Sequence, residues 1–309
     1  MSISNINIAT RESPLAMWQA EHVRSELMKL HPGLRVELVA MTTQGDRILD
    51  TPLFTVGGKG LFIKELEHSL INGRADIAVH SMKDVTIDLP EGLALPVIMK
   101  RADPRDVFIS NHFRSLDELP EGSIIGTSSL RRQCQLYAYR PDLKLKDLRG
   151  NVGTRLRKLD EDQFDAIVLA AAGVIRLGFE ERICEYLEPE VMLAAIGQGA
   201  IGIETRANDP AVLNIIKLLN DESTKTQLIA ERAFSRKLYG GCQLPIAAHA
   251  QITGAQLVIR GLVGSPDGKT IITDELVGLA ENAETLGLQL AQRLLNKGAD
   301  VILRELIHG

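Results

Sequence analysis

The sequence predicts an α/β protein with two successive doubly wound domains and a small α+β domain at the C-terminal end. Three observations carry that reading. Short β-branched strands alternate with amphipathic helical stretches through the first two-thirds of the chain. Two breaks interrupt the alternation, a polar proline-bearing stretch at 100–105 and a glycine-rich run at 194–202. After Asn220-Asp221 the pattern changes to a helix, a hairpin and a closing helix.

In chain order, residues 6–9 read as a strand, and Ser13-Pro14 as the N-cap and first residue of a helix. That helix places Ala16, Ala20, Val23, Leu27 and Leu30 on one stripe and ends near His31-Pro32-Gly33. Residues 34–42 form a second strand, 62–71 a helix and 75–79 a short buried strand, an order that implies a mostly parallel sheet. In the second domain we expect strands at 123–126, 143–148 and 165–169, with helices from Leu130 and over 152–159. Beyond it come a helix at 224–238 and strands at 257–263 and 270–277 around the turn Ser265-Pro266-Asp267-Gly268. A closing helix carries Leu286, Leu290 and Leu294, with Gly298 as its C′ residue.

The 309 residues are 45% hydrophobic and 24% charged, ordinary for a soluble globular protein. No apolar run is long enough for a membrane span, and no signal peptide is apparent. Three cysteines without paired spacing suit a reducing cytoplasm. The seven histidines show no ligand spacing, so no metal site is expected. A net charge of −5 and 4% aromatic content argue against nucleic-acid binding. Yet residues 126–158 hold nine Lys/Arg against two Asp, which suggests a pocket for a polyanionic small molecule.

Four strand-end junctions repeat one chemistry: Thr10-Arg11-Glu12-Ser13, His80-Ser81-Met82-Lys83-Asp84, Thr127-Ser128-Ser129-Leu130-Arg131-Arg132 and Arg149-Gly150-Asn151-Val152-Gly153-Thr154-Arg155. Carboxyl ends of strands face the ligand crevice of open α/β sheets, and helix N-termini there favour anions. Arginine and hydroxyl groups at such ends suit carboxylate or phosphate. Asp84 is the carboxylate of the second junction, placed to offset a developing cation or to move a proton. Val56-Gly57-Gly58-Lys59-Gly60 lacks the spacing of a phosphate loop and reads instead as a lid, with Lys59 and Phe62. Cys134 keeps helical step with Leu130 and Tyr137, and Cys184 with Leu187, so both read as core. Cys242, in Gly240-Gly241-Cys242-Gln243-Leu244-Pro245, reads as a loop thiol, either a nucleophile or an attachment point.

These junctions, together with Ala9–Ala16, Gly57–Phe62, Asp76–Asp84, Gly126–Gln133, Leu148–Arg155 and Gly240–Pro245, resemble the porphobilinogen deaminase family in order across nearly the whole chain. The resemblance implies an enzyme that joins four porphobilinogen units head to tail, releasing ammonia, to give hydroxymethylbilane. It implies a dipyrromethane cofactor held by a thioether to Cys242 and contacted by Ser81, Lys83, Asp84, Thr127, Ser129, Arg131 and Arg132. Arg11, Ser13, Arg149, Arg155 and Arg176 would bind substrate carboxylates, and Asp84 would be catalytic. It further implies lobes like those of periplasmic binding proteins, with domains at 1–99 plus 200–219, 100–199 and 220–309. A cytoplasmic monomer acting on a small molecule, with no membrane or nucleic-acid partner, is expected. Thr55 stands where many relatives carry Lys or Arg. Two alternatives remain: a non-catalytic anionic-solute-binding module of the two-lobe type, and a thiol-dependent transferase with a free Cys242.

Overall fold

The structure, a computed structural model, describes residues 4–43, 45, 60, 62–238 and 244–308. In chain order the first run is β1 (Asn5–Arg11), α1 (Pro14–Leu30), β2 (Arg35–Met41), α2 (Lys64–Ile71), β3 (Ile77–Ser81) and β4 (Leu93–Ile98). The second is β5 (Asp106–Ile109), β6 (Ile124–Gly126), α3 (Leu130–Tyr139), β7 (Lys144–Lys146), α4 (Val152–Asp160), β8 (Ala166–Ala170), α5 (Ala171–Arg176) and β9 (Glu185–Leu187). The chain then runs through β10 (Ile201–Arg206), α6 (Pro210–Ile216) and α7 (Glu222–Lys237). It ends in β11 (Ile246–Thr253), β12 (Gln256–Gly264), β13 (Ile271–Leu279), α8 (Ala283–Leu294) and α9 (Asp300–His308).

Two compact units result, Met1–Ala102 with Ala200–Lys225 and Asp103–Gly199 with Thr226–Gly309. The first holds the sheet β2-β1-β3-β10-β4. Strand β1 pairs in parallel with β2 and β3, but β10 runs antiparallel to both β3 and β4, so the sheet is mixed rather than parallel throughout. Ile6 and Ile8 pack with Ala20, Val23 and Leu27 of α1 on one face; Ala9 and Ala78 pack with Leu66 and Leu70 of α2 on the other. Alternation along β1 thus buries both faces, as a doubly wound sheet requires.

The second unit repeats the plan with the sheet β7-β6-β8-β5-β9. Here β6 is parallel to β7 and β8, while β5 is antiparallel to β8 and β9. In each sheet the antiparallel fourth strand is the one that follows a change of unit in the chain, β5 after Ala102 and β10 after Gly199. The same unit carries the antiparallel meander β11-β12-β13, whose core joins Phe234 of α7 to Leu286 and Leu290 of α8. The turn between β12 and β13 sits hard against α3: a Cβ on Gly268 would lie 2.6 Å from the Ala138 backbone nitrogen. No helix among the described residues is long and apolar enough to cross a membrane.

Several expectations change. Cys184 is exposed, not core, because residues 180–187 form a short 3-10 turn and β9 rather than a helix. Gly298 does adopt φ +100°, but the chain continues into α9, which buries Ile302 and Leu303. Strands β4, β5, β9, β10 and β11 were not expected from the sequence. Lys59, Thr55 and Cys242 lie outside the described residues.

Candidate active site

In the first unit, β1 delivers Thr10, Arg11 and Ser13 to one strand end. Thr10 Oγ1 donates to the Ala16 carbonyl (3.1 Å) and Ser13 Oγ caps α1 by accepting from the Ala16 N–H (3.4 Å). The Arg11 guanidinium lies over the Phe62 ring, 4.3 Å from its centroid, so the structure brings these two expected residues together in a cation–π contact. The neighbouring strand β3 ends in Ser81 and turns through a 3-10 segment, Met82–Asp84. Met82 is buried, while Lys83 and Asp84 are half-buried. The Ser81 hydroxyl lies 2.8 Å from Nε2 of the buried Gln19. Among the described residues the Asp84 carboxylate has no hydrogen bond or ion pair, which leaves it open to a ligand N–H.

Behind this strand end lies a titratable cluster. His80 Nε2 is 2.9 Å from Glu204 Oε2, both side chains being essentially inaccessible. Burial first, then the Glu204 charge, raises the Glu67 carboxyl above its ordinary range, with His80 opposing.

In the second unit, β6 hands over to α3 through Thr127, Ser128 and Ser129. Thr127 Oγ1 accepts from the Ser129 N–H (3.3 Å), and Ser128 Oγ donates to the Leu148 carbonyl (3.2 Å), tying this junction to the one holding Arg149. Gly150, at φ +110°, supplies the left-handed turn that an L-side chain resists, and Asn151 Oδ1 caps α4 by accepting from the Thr154 N–H at 2.9 Å. Arg155 Nε then donates to the Gly150 carbonyl (2.8 Å). Arg176 Nη2 donates to the Gly199 carbonyl (2.8 Å), and burial lowers its pKa to about 10.

Arg131 and Arg132 are 4% and 6% exposed, and they converge on Asp106, which is fully buried. Arg132 donates to Oδ1 through Nε (3.2 Å) and Nη2 (2.7 Å); Arg131 Nη1 lies 2.7 Å from Oδ2 as an ion pair rather than an aligned hydrogen bond. Burial acts to raise the Asp106 carboxyl, and the charges of Arg131 and Arg132 overcome it, holding it far below the carboxylate range. The sequence placed both arginines toward a ligand; in the structure the partner they share is Asp106. Asp106, Gln198 and Gln19 carried no signal in the sequence. Asp106 directly follows the polar stretch 100–105, and a lone acid two residues after Pro104 carries no local signal for burial.

Among the described residues two guanidiniums against one carboxylate leave a buried positive excess, so this donor set suits a carboxylate-bearing group. Among the described residues no group of three or more His, Cys, Asp or Glu could hold a metal ion.

The fold defines an α/β protein with two doubly wound sheets and a small sheet-and-helix domain. The chain belongs to the porphobilinogen deaminase family: residues 6–214 match the family model "Porphobilinogen deaminase, dipyromethane cofactor binding domain", and residues 225–296 match "Porphobilinogen deaminase, C-terminal domain". It is therefore an enzyme of tetrapyrrole biosynthesis that acts on porphobilinogen and uses a dipyrromethane cofactor. Among solved structures, the methionine-binding protein MetQ is similar at 15% identity and TM-score 0.46, over 72% of this chain and 92% of that one. The BvgS periplasmic VFT2 domain of Bordetella pertussis matches at 15% identity and TM-score 0.42, over 74% and 92%. Immunogenic lipoprotein A of Vibrio vulnificus matches at 15% and 0.45, over 72% and 97%.

Proposed function

We propose that this chain joins four porphobilinogen molecules head to tail, with loss of ammonia at each step, into hydroxymethylbilane, extending a dipyrromethane primer that is thioether-linked to Cys242. The observation that carries the reading is the buried arginine pair at the start of α3, which holds more positive charge than Asp106 neutralises. Every pyrrole of the substrate and cofactor carries an acetate and a propionate, so each ring brings two carboxylates to such a surface.

The cofactor, when bound, supplies the pyrrole end to which new rings are joined. Thr127, Ser129, Arg131 and Arg132 hold its carboxylates, with Ser81 and Lys83 as further donors. Arg11, Ser13, Arg149, Arg155 and Arg176 receive the carboxylates of incoming rings, and Lys59 and Phe62 cover them. Asp84 accepts pyrrole N–H groups and opposes the cationic charge that appears as ammonia leaves, a contribution of several kcal/mol to the barrier in a closed site. Cytoplasmic location and a monomeric state complete the proposal.

Intact-protein mass tests it. Freshly purified active protein should exceed its sequence mass by one dipyrromethane, on the peptide containing Cys242. Cys242→Ser should fold without the adduct and without turnover. Asp84→Asn should keep the adduct and lose turnover by orders of magnitude, and Asp84→Glu should retain some. An unmodified mass in active protein refutes the attachment.

A further inference from the structure

We propose that Asp106 is a positioning residue for this reaction: it pre-sets Arg131 and Arg132 around a single carboxylate, so that the pair stays one positive charge in excess and admits the carboxylates of a pyrrole ligand. This rests on the function proposed above and assigns the site a residue that does not itself meet the ligand.

The geometry carries the argument. Asp106 opens β5 and is paired in the sheet with both Ala170 and Leu187, so its backbone cannot shift without breaking a ladder. Its Oδ1 also accepts from Gln198 Nε2 (3.1 Å), which reaches the Pro104 carbonyl as well (2.7 Å). Each guanidinium has a second anchor on the main chain. Arg131 Nη1 donates to the Leu193 carbonyl (2.7 Å) and Arg132 Nη1 to the Val168 carbonyl (2.9 Å). Gln135 grips Leu193 from both sides, donating to its carbonyl (3.2 Å) and accepting from its N–H (2.7 Å). Long side chains that would otherwise sample many rotamers are fixed before a ligand arrives, which removes that ordering cost from binding.

The charge count completes it. Among the described residues two guanidiniums face one carboxylate, and the other polar partners in this cluster, Gln135, Gln198 and the carbonyls of Leu193 and Val168, are neutral. Burial, with Arg131 adding to it, works against the Arg132 charge, and Asp106 offsets only part of that. A second anion would relieve the excess; a second acid in the protein would abolish the need for one.

The test compares cofactor loading among folded variants. Asp106→Asn keeps the shape and removes the charge; Asp106→Glu keeps the charge and displaces it. Leu159→Ala, in the core of the same unit, serves as a control of comparable thermal destabilisation. The fraction carrying dipyrromethane is read by intact mass, below all three melting transitions. We expect at least tenfold less loading in Asp106→Asn, partial recovery in Asp106→Glu and wild-type loading in the control. Wild-type loading of Asp106→Asn, or equal loss in the control, overturns the proposal. If Asp106→Asn does not fold, full loading of Asp106→Glu overturns it. A wild type lacking the adduct sinks the thioether reading alone. The positioning role is then read from the rise in melting temperature with porphobilinogen, which the wild type must show and both Asp106 variants must lose wholly or in part.

Discussion

Counting reactive thiols tests the cofactor linkage and the packing of α3 in one experiment. The sequence has three cysteines. Cys134 is fully buried against Leu193, Ala247 and Leu262, and burial pushes its thiol from 9.0 to about 12. Only the thiolate attacks a maleimide, so at about pH 8 the reactive fraction falls from ~10⁻¹ to ~10⁻⁴, a ~10³-fold slowing before access is considered. Cys184 is exposed and should react within minutes. With Cys242 in a thioether, native loaded protein should therefore titrate one fast thiol, and the same protein in denaturant two. Three thiols in denatured, loaded protein would refute the thioether. A second fast thiol in the native state, mapped to the Cys134 peptide, would refute the packing that raises its pKa.

Other outcomes follow from particular contacts. Burial and then Glu204 raise the Glu67 carboxyl, so the folded state binds that proton more tightly than the unfolded chain. The stability it contributes is full below about pH 4.5 and is lost as pH rises through the higher folded value. Glu67→Gln should consequently lose less melting temperature than wild type between about pH 4.5 and 7, and parallel curves would contradict this. A methyl on Gly287 of α8 would fall on the Ala230 carbonyl of α7, so Gly287→Ala should destabilise by ~1–3 kcal/mol in denaturant titration. Asn151→Ala removes the cap of α4 and should cost ~1 kcal/mol, read the same way.

Much of this molecule was legible where local chemistry and tertiary need agree. Ser13-Pro14 caps its helix as the sequence indicates, and the strand-end junctions fall where the alternation of strands and helices puts them. What escaped was set by distant partners. Strand β11 begins Ile-Ala-Ala-His-Ala, buried on both faces, so it shows neither alternation nor β-branched enrichment. Cys184 matched a helical step that the 3-10 turn of Glu180–Arg182 cuts short. Asp106 became visible only once β5 and α3 were placed together, because its partners lie some 25 residues and more along the chain.

The insertion of β10 between β3 and β4 has a consequence for how the protein is made. Among the described residues strand β4 joins its sheet through β10 alone, and β10 begins about a hundred residues after β4 ends. At ribosomal speeds that interval is ~5–20 s, during which β3 and β4 each wait with an open hydrogen-bonding edge. The nascent chain can complete the helix-covered half of the sheet, β2-β1-β3, but not its closing strands. Residues 103–199 emerge in that window and can collapse around their own sheet first. The N-terminal unit is thus begun first and finished late, and the exposed edges of β3 and β4 mark where a chaperone, or a misplaced strand, would meet the growing chain.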